Sequence, residues 1–334
     1  MYPKIERPCP PTKLPSIMPS NTISRVFVGL PREKSVAEKL ATRLYDLARR
    51  PDGRTAYLRT AVRRDATPIR IVCISDTHNT KPSDLPEGDI LVHAGDLSQF
   101  GTFTEIQAQL SWLASQPHPH KIVIAGNHDL LLDATFVAAH PDRELDRPGK
   151  ARGDLEWADV RYLEHKAIDL TVGDRSVRIF GSPWTPRCGS WAFQYDDANA
   201  PWENLVPEET DVVVVHGPPK GHLDDGGKGC GILLKELWRA RPRVVVCGHI
   251  HAGRGEQWLH FDGVDRWYEN VLLGGTLEWM SLACLAFSLF WVVVSRVLRS
   301  GEVRAVDGRL TQLVNAAVVG DRNGREKMAV VAVM

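Results

Sequence analysis

The chain has 334 residues, enough for one large domain or two ordinary ones, and its 43% hydrophobic and 25% charged residues exclude disordered and collagen-like classes. Lys plus Arg equals Asp plus Glu at 41 each, so no overall basic excess points to a nucleic-acid wrapper. The six cysteines (Cys9, Cys73, Cys188, Cys230, Cys247 and Cys284) form no CxxC pair, which argues against a disulfide scaffold or a zinc ribbon and for a reducing, cytoplasmic compartment.

Charge is unevenly spread. Residues 1–65 hold 14 Lys/Arg against 6 Asp/Glu, a net of +8, which leaves −8 for the rest. Residues 1–31 carry seven prolines and no continuous apolar run, and read as a flexible tail without a secretory signal. Residues 32–68 read as a basic, partly helical extension. Within it Val36, Leu40, Leu44 and Leu47 recur at helical spacing and predict an amphipathic helix over 33–49 with that stripe as its apolar face. The basic head could dock on an anionic surface, serve as a transit peptide, or remain a solvated extension.

From residue 69 short apolar runs alternate with helical segments. Arg70–Asp76, Asp89–Asp96, Lys121–Asn127, Asp211–Gly217 and Arg243–His249 are β-branched and nearly continuous in hydrophobicity, as strands buried on both faces are. Thr104–Ser115 and Gly231–Ala240 read as helices, and the Gly173–Asp174 turn before Arg178–Ser182 predicts a hairpin. The class is α/β with layered sheets.

Each run ends in polar residues. In order they are Asp76-Thr77-His78, Gly95-Asp96, Gly126-Asn127-His128-Asp129, His216-Gly217 and Gly248-His249-Ile250-His251. In open α/β sheets the carboxyl ends of strands converge on one crevice. Carboxylates, an amide oxygen and imidazoles are donors for divalent first-row metals, and no thiolate joins them as a structural zinc site would require. Asp76 and His78 are two residues apart, as are His249 and His251, so in extended backbone each pair points into one cavity. His93, three residues before Asp96, faces the other way and reads as a packed core histidine. One such motif alone is a turn or a cap; five in order, each after an apolar strand, point to a site.

The series Asp-x-His, Gly-Asp, Gly-Asn-His-Asp, His-Gly and Gly-His-x-His resembles the calcineurin-like metallophosphoesterase superfamily. Val215-His216-Gly217-Pro218-Pro219, Gly181-Ser182-Pro183-Trp184 and Trp191-Ala192-Phe193 resemble its metallophosphoesterase domain-containing branch, which includes fungal members. The likeness runs from about residue 69 to 255 and resumes near Leu313–Gly320. It implies a four-layer αββα sandwich with a dinuclear metal site at the C-terminal strand ends. One metal would take Asp76, His78, Asp96 and His251, and the other Asp96, Asn127, His216 and His249, with Asp96 bridging. His128 would sit at the substrate phosphate without binding metal, with Asp129 orienting it. Two divalent ions (Mn, Fe, Zn or Ni all tolerate these donors) would provide a bridging hydroxide for in-line attack on a phosphate ester.

Asp96 is followed by Leu97-Ser98-Gln99-Phe100-Gly101 and not by the arginine-bearing run of protein Ser/Thr phosphatases of the superfamily. A phosphodiester of cyclic-nucleotide type is the better expectation, with a phosphomonoester or a metal-binding scaffold of little turnover as alternatives. Trp184, Trp191 and Phe193 lie on a loop that could stack on a base or simply pack, and His222 and Arg254 are candidate phosphate contacts. The net −8 of residues 66–334 argues against a nucleic-acid duplex as partner.

Trp279–Ser295 carries no charge over 17 residues, the lower limit for a span. Spanning would separate the segments near Leu313–Gly320 and Met328–Met334 from their sheet. The catalytic domain is therefore expected over 69–334 with an apolar helical insertion at about 272–308, packed on the domain or meeting a membrane surface through 279–298.

Overall fold

The computed structural model describes residues 34–49, 67–143, 145, 150–196, 199–274, 277–298, 310–319 and 328–334. The tail expected over 1–31 lies outside these.

In chain order the elements are α1 (Val36–Arg49), β1 (Arg70–Ile74), β2 (Ile90–Ala94), α2 (Phe103–Ala114), β3 (His120–Ile124), α3 (Ala134–Ala139), β4 (Val160–Tyr162), β5 (Lys166–Val172), β6 (Arg175–Ser182), β7 (Thr185–Pro186), β8 (Gln194–Tyr195), β9 (Val212–Val215), α4 (Gly231–Ala240), β10 (Val244–Cys247), β11 (Gly255–Leu259), α5 (Gly263–Leu272), α6 (Glu278–Leu298), β12 (Thr311–Asn315) and β13 (Val330–Val333). One sheet has the order β13-β1-β2-β3-β4 and the other β11-β12-β10-β9-β6-β5. Strands β1 to β4 run parallel, as do β6, β9, β10 and β12; β13, β11 and β5 are antiparallel edges.

Strand alternation sorts the side chains into layers. Ile71, Cys73, Ile90, Val92, Ile122 and Ile124 meet Val177, Ile179, Val212, Val214, Val244 and Val246 between the sheets. Val72, Ile74, Leu91 and Val123 face outward onto Ile106, Leu110 and Leu113 of α2. Val213, Val215, Val245 and Cys247 face Leu233 and Leu237 of α4. The architecture is the expected αββα sandwich. Helix α2 begins one residue before its expected start because Thr102 and Glu105 form a reciprocal capping box.

A seam joins the two sheets beneath their C-terminal edges. Past β12, the Ala316 N–H bonds the Cys247 carbonyl while the Ala316 carbonyl accepts from Ser75, and Val318 N–H returns to Ser75. The stretch from Thr311 to Val319 is therefore a strand of one sheet that crosses to the edge of the other.

Helices α1, α5 and α6 pack together through Ala37, Ala41, Tyr45, Ala48, Tyr268, Val271, Leu282 and Leu285. The apolar stripe read from the sequence turns inward only at Leu44, which packs partly buried on this cluster: Val36, Leu40 and Leu47 are exposed, while the alanines and Tyr45 are buried. Small side chains allow close helix approach, and the stacking of Tyr45 on Tyr268 at 4.1 Å fixes which face turns inward.

Candidate metal centre

Every donor is placed by a strand that stops short of it. Strands β1, β2, β3, β9 and β10 end at Ile74, Ala94, Ile124, Val215 and Cys247, and the chain then turns sharply. Asp76, His78, Asp96 and His249 adopt left-handed backbone, with φ of 54°, 42°, 54° and 63°, a conformation Asp, Asn and His tolerate better than most residues. The pairs Asp76/His78 and His249/His251 thus reach the site through tight turns and not through the extended backbone that their spacing suggests. Gly95 has φ +95°, and a Cβ there would lie 2.6 Å from the His216 ring. A Cβ on Gly248 would collide with Ser75 and the Asp76 carboxylate.

The structure brings all seven expected donors together. Donor atoms of Asp76, His78 and His251 lie within 4.8 Å of one another, as do those of Asp96, His216 and His249. Asp76 Oδ1 is 3.0 Å from His251 Nε2, and the carboxylate accepts the His249 N–H. Asp96 Oδ2 lies 3.4 Å from His216 Nε2 and 3.7 Å from His78 Nε2. Asn127 Oδ1 is 3.1 Å from His216 Nε2. His216 Nδ1 donates to the Ala94 carbonyl at 2.8 Å, which fixes the tautomer and aims Nε2 at the cluster.

His128 borders this group: its ring is 4.8 Å from that of His78, and its N–H bonds Asp96 Oδ1 at 2.8 Å. Its Nδ1 donates to the Gln99 carbonyl at 2.8 Å, so chemistry at this ring falls to Nε2. Trp191 stacks on the His128 ring with centroids 4.0 Å apart. The next residue ties that loop down, Ala192 N–H bonding the Asn127 carbonyl at 3.1 Å. Asp129, expected to orient His128, reaches it through the backbone. The buried Asp129 carboxylate accepts from the Leu97, Ser98 and Gly126 amides and the Ser98 hydroxyl, and so shapes the loop whose Gln99 carbonyl holds His128.

The electrostatics suit a cation. Burial opposes charge on Asp76 and Asp96, yet His251 and His216 respectively hold the two carboxyls well below the ordinary range. Burial disfavours a charged His216, but Asp96 outweighs it and lifts the ring to about 9. His249 falls to about 3, through burial and then the His216 charge. Asp129 rises to about 6 through burial and then the Asp96 charge. Among the described residues these two buried carboxylates form ion pairs only with imidazoles, not with Lys or Arg. A buried carboxylate pair of this kind is costly unless a cation balances it, so the donor set fits divalent metal.

The family model for calcineurin-like phosphoesterases matches residues 69–253, more than half of the chain. The chain belongs to the calcineurin-like phosphoesterases. Over 279 residues it is 43% identical to a protein of Emericella nidulans named probable rhamnogalacturonate lyase C, covering 81% of this chain and 25% of that protein. Over 200 residues it is 40% identical to human metallophosphoesterase domain-containing protein 1, covering 56% of this chain and 61% of the human protein. The UPF0046 protein T07D4.2 of Caenorhabditis elegans is 32% identical over 212 residues, covering 56% and 52%. The chain thus spans less than two thirds of the length of each of these relatives. Its branch is that of the metallophosphoesterase domain-containing proteins.

Calcineurin-like phosphoesterases use two divalent ions, and this member has the Asp and His clusters to hold metal. Three residues expected near substrate are engaged elsewhere. His222 is fully buried, held by Glu269 at 3.1 Å and Gln257 at 3.0 Å between the rings of Tyr45 and Tyr268; it anchors α5 to the body. The Arg254 guanidinium donates to the backbone carbonyls of Ala317 and Met328, closing the seam. Trp184 stacks on His165 and packs against Tyr195, so Trp191 is the loop tryptophan that touches the site. His93 is a core histidine as expected, buried and 2.9 Å from Thr77 Oγ1. Sequence reasoning missed Asn315, whose amide bonds the Ile250 carbonyl at 2.9 Å and so holds the His249–His251 turn. Its signal was a lone amide closing an apolar strand. The Ala94 and Gln99 carbonyls leave no side-chain trace at all.

Proposed function

We propose that this phosphoesterase hydrolyses a phosphodiester that carries an aromatic base, such as a cyclic nucleotide. The observation that carries this reading is the Trp191 ring stacked on His128, an aromatic side chain beside the residue to which this reading gives the phosphoryl group. Base–aromatic stacking contributes about 1–3 kcal/mol, enough to favour a nucleotide over a bare phosphate ester.

In this reading Asp76, His78, Asp96 and His251 hold one divalent ion, and Asp96, Asn127, His216 and His249 the other. The ions, when bound, supply an activated water at neutral pH and neutralise phosphoryl charge. Asp96 lies beside His78 of one cluster and His216 of the other, and would serve both ions. His128 Nε2 donates a proton to the leaving oxygen or a hydrogen bond to a phosphoryl oxygen, its ring held by Gln99 and by Trp191. The seam under Asp76 and the Asn315 bond under His251 keep the donors from shifting as charge develops.

The test is a panel of 2′,3′- and 3′,5′-cyclic nucleotides, bis-(p-nitrophenyl) phosphate and a monoester, each with added Mn, Fe, Zn or Ni. Turnover of a cyclic nucleotide is expected, with Trp191→Ala raising its KM by more than that of an alkyl phosphodiester without an aromatic group, while a fall in kcat common to both reports the Trp191 support of His128. Faster turnover of the monoester would favour a phosphomonoesterase, and none with any metal would leave a metal-binding scaffold. The lyase name belongs to a relative four-fold longer than the shared region, and a metal-donor set of this kind favours ester hydrolysis here.

A further inference from the structure

The outer face of α6 is apolar along its length. The inner face packs Leu282 and Leu285 against α1 and α5, while Trp279, Met280, Phe287, Phe290, Trp291 and Val293 are all exposed. Only 17% of the Glu278–Ser295 window is buried, although the helix is long and apolar enough to cross a membrane by length and composition. Spanning is inconsistent with its surroundings, because one face is already committed to two helices and the following β12 lies inside a sheet.

Helix α1 extends this face. Val36, Leu40, Arg43 and Leu47 follow one another at helical spacing on its exposed side, and exposed Lys39 borders them. Tyr45 and Arg49 of α1 turn toward α5, so α6 occupies the other flank of the buried arc, the one next to this stripe. Ser35, just before α1, bonds Glu278 at the start of α6 at 3.0 Å, which aligns the two helices' first turns. The result is an aromatic-rich apolar surface bordered by Lys39 and Arg43, with exposed Asp46 in line with Lys39, in a chain whose residues 1–65 are net +8. Tryptophan and phenylalanine on an apolar face beside Lys and Arg are the composition of helices that lie in the plane of a bilayer interface.

We infer that the α1–α6 face docks this protein onto an anionic lipid surface, with α6 lying in the interface plane. The bases meet lipid headgroups and the aromatic rings enter the acyl boundary. The metal centre plays no part, so the inference stands apart from the hydrolase reading.

The full chain is sedimented with phosphatidylcholine vesicles, with and without phosphatidylserine. Two double variants are compared, Phe287→Ser/Phe290→Ser on the outer face of α6 and Lys39→Glu/Arg43→Glu on α1. The parent is expected to pellet with the phosphatidylserine vesicles, and each variant to partition at least about tenfold less. Hydrolysis of bis-(p-nitrophenyl) phosphate by the same samples should not change. The inference is overturned if the parent stays in the supernatant with both vesicle types, including the case in which it elutes as a dimer with this face closed on a second copy. Equal pelleting with both vesicle types, or pelleting indifferent to both variants, also overturns it. If the aromatic variant loses its circular dichroism, the charge variant alone decides.

Discussion

At the scale of single residues, the site depends on groups that hold two neighbours at once. Asp96 faces His216 and His78 with one oxygen and the His128 amide with the other. Asp96→Asn removes the charge while keeping the shape, and should lower metal content at both positions by elemental analysis; unchanged content would rule out the bridging role proposed for Asp96. His128→Ala should retain metal yet lose about 10²–10⁴-fold in kcat, the range of a positioned proton donor, as measured on bis-(p-nitrophenyl) phosphate with metal in excess. The side chains of this site were legible in the sequence, because Asp, Asn and His after apolar strands have little reason to recur in order without a shared cavity. The positioning was not. Asp129 acts through a loop, and the Ala94 and Gln99 carbonyls are backbone atoms that any residue type would provide.

At the scale of elements, strand and helix types followed from periodicity, and the errors arose where packing partners decide orientation. The α1 stripe is the clearest instance: large apolar residues marked a face, but the partners required the alanine side for close approach. Tyr45→Ala should destabilise the fold by about 3 kcal/mol or more, through a cavity and a lost stack. Leu40→Ala, from the stripe that sequence favoured, should cost under about 0.5 kcal/mol; urea unfolding distinguishes the two. The α1–α5 contact also predicts a pH dependence. Asp262 caps α5 by accepting from Val264 and Asp265, and pairs with Arg49. Burial alone would raise its carboxyl, but Arg49 holds it below the ordinary value. A lowered carboxyl stabilises above its unfolded pKa of about 3.9 and loses that contribution as pH falls through the folded value. Asp262→Ala should therefore lower Tm at pH 7 by more than at pH 3, with the capping part alone worth about 1 kcal/mol.

At the scale of the whole molecule, the sandwich was legible because all five site-bearing strands are apolar on both faces, which only a sheet covered on each side explains. The pairing of β12 and β13 was harder, since both follow a long helix and are short. The equal overall charge concealed a basic head and an acidic body, and the body concentrates two buried carboxylates among imidazoles. Metal should consequently hold the fold together as well as serve chemistry. Removing it with a chelator at pH 7 should lower Tm by roughly 5–10 °C, the scale set by a ligand present well above its Kd, and adding back Mn or Zn should restore it in differential scanning fluorimetry.

The late position of β12 and β13 has a consequence for biosynthesis. A ribosome delivers all seven donors by His251, yet the Ala316 bonds that brace Ser75 and the Asn315 bond that braces Ile250 exist only after residue 310 has emerged. Until then β1 and β10 each have a bare edge that could pair with another nascent chain. The interval spent synthesising α5 and α6 is thus the period of greatest aggregation risk, in which a chaperone would have most to protect.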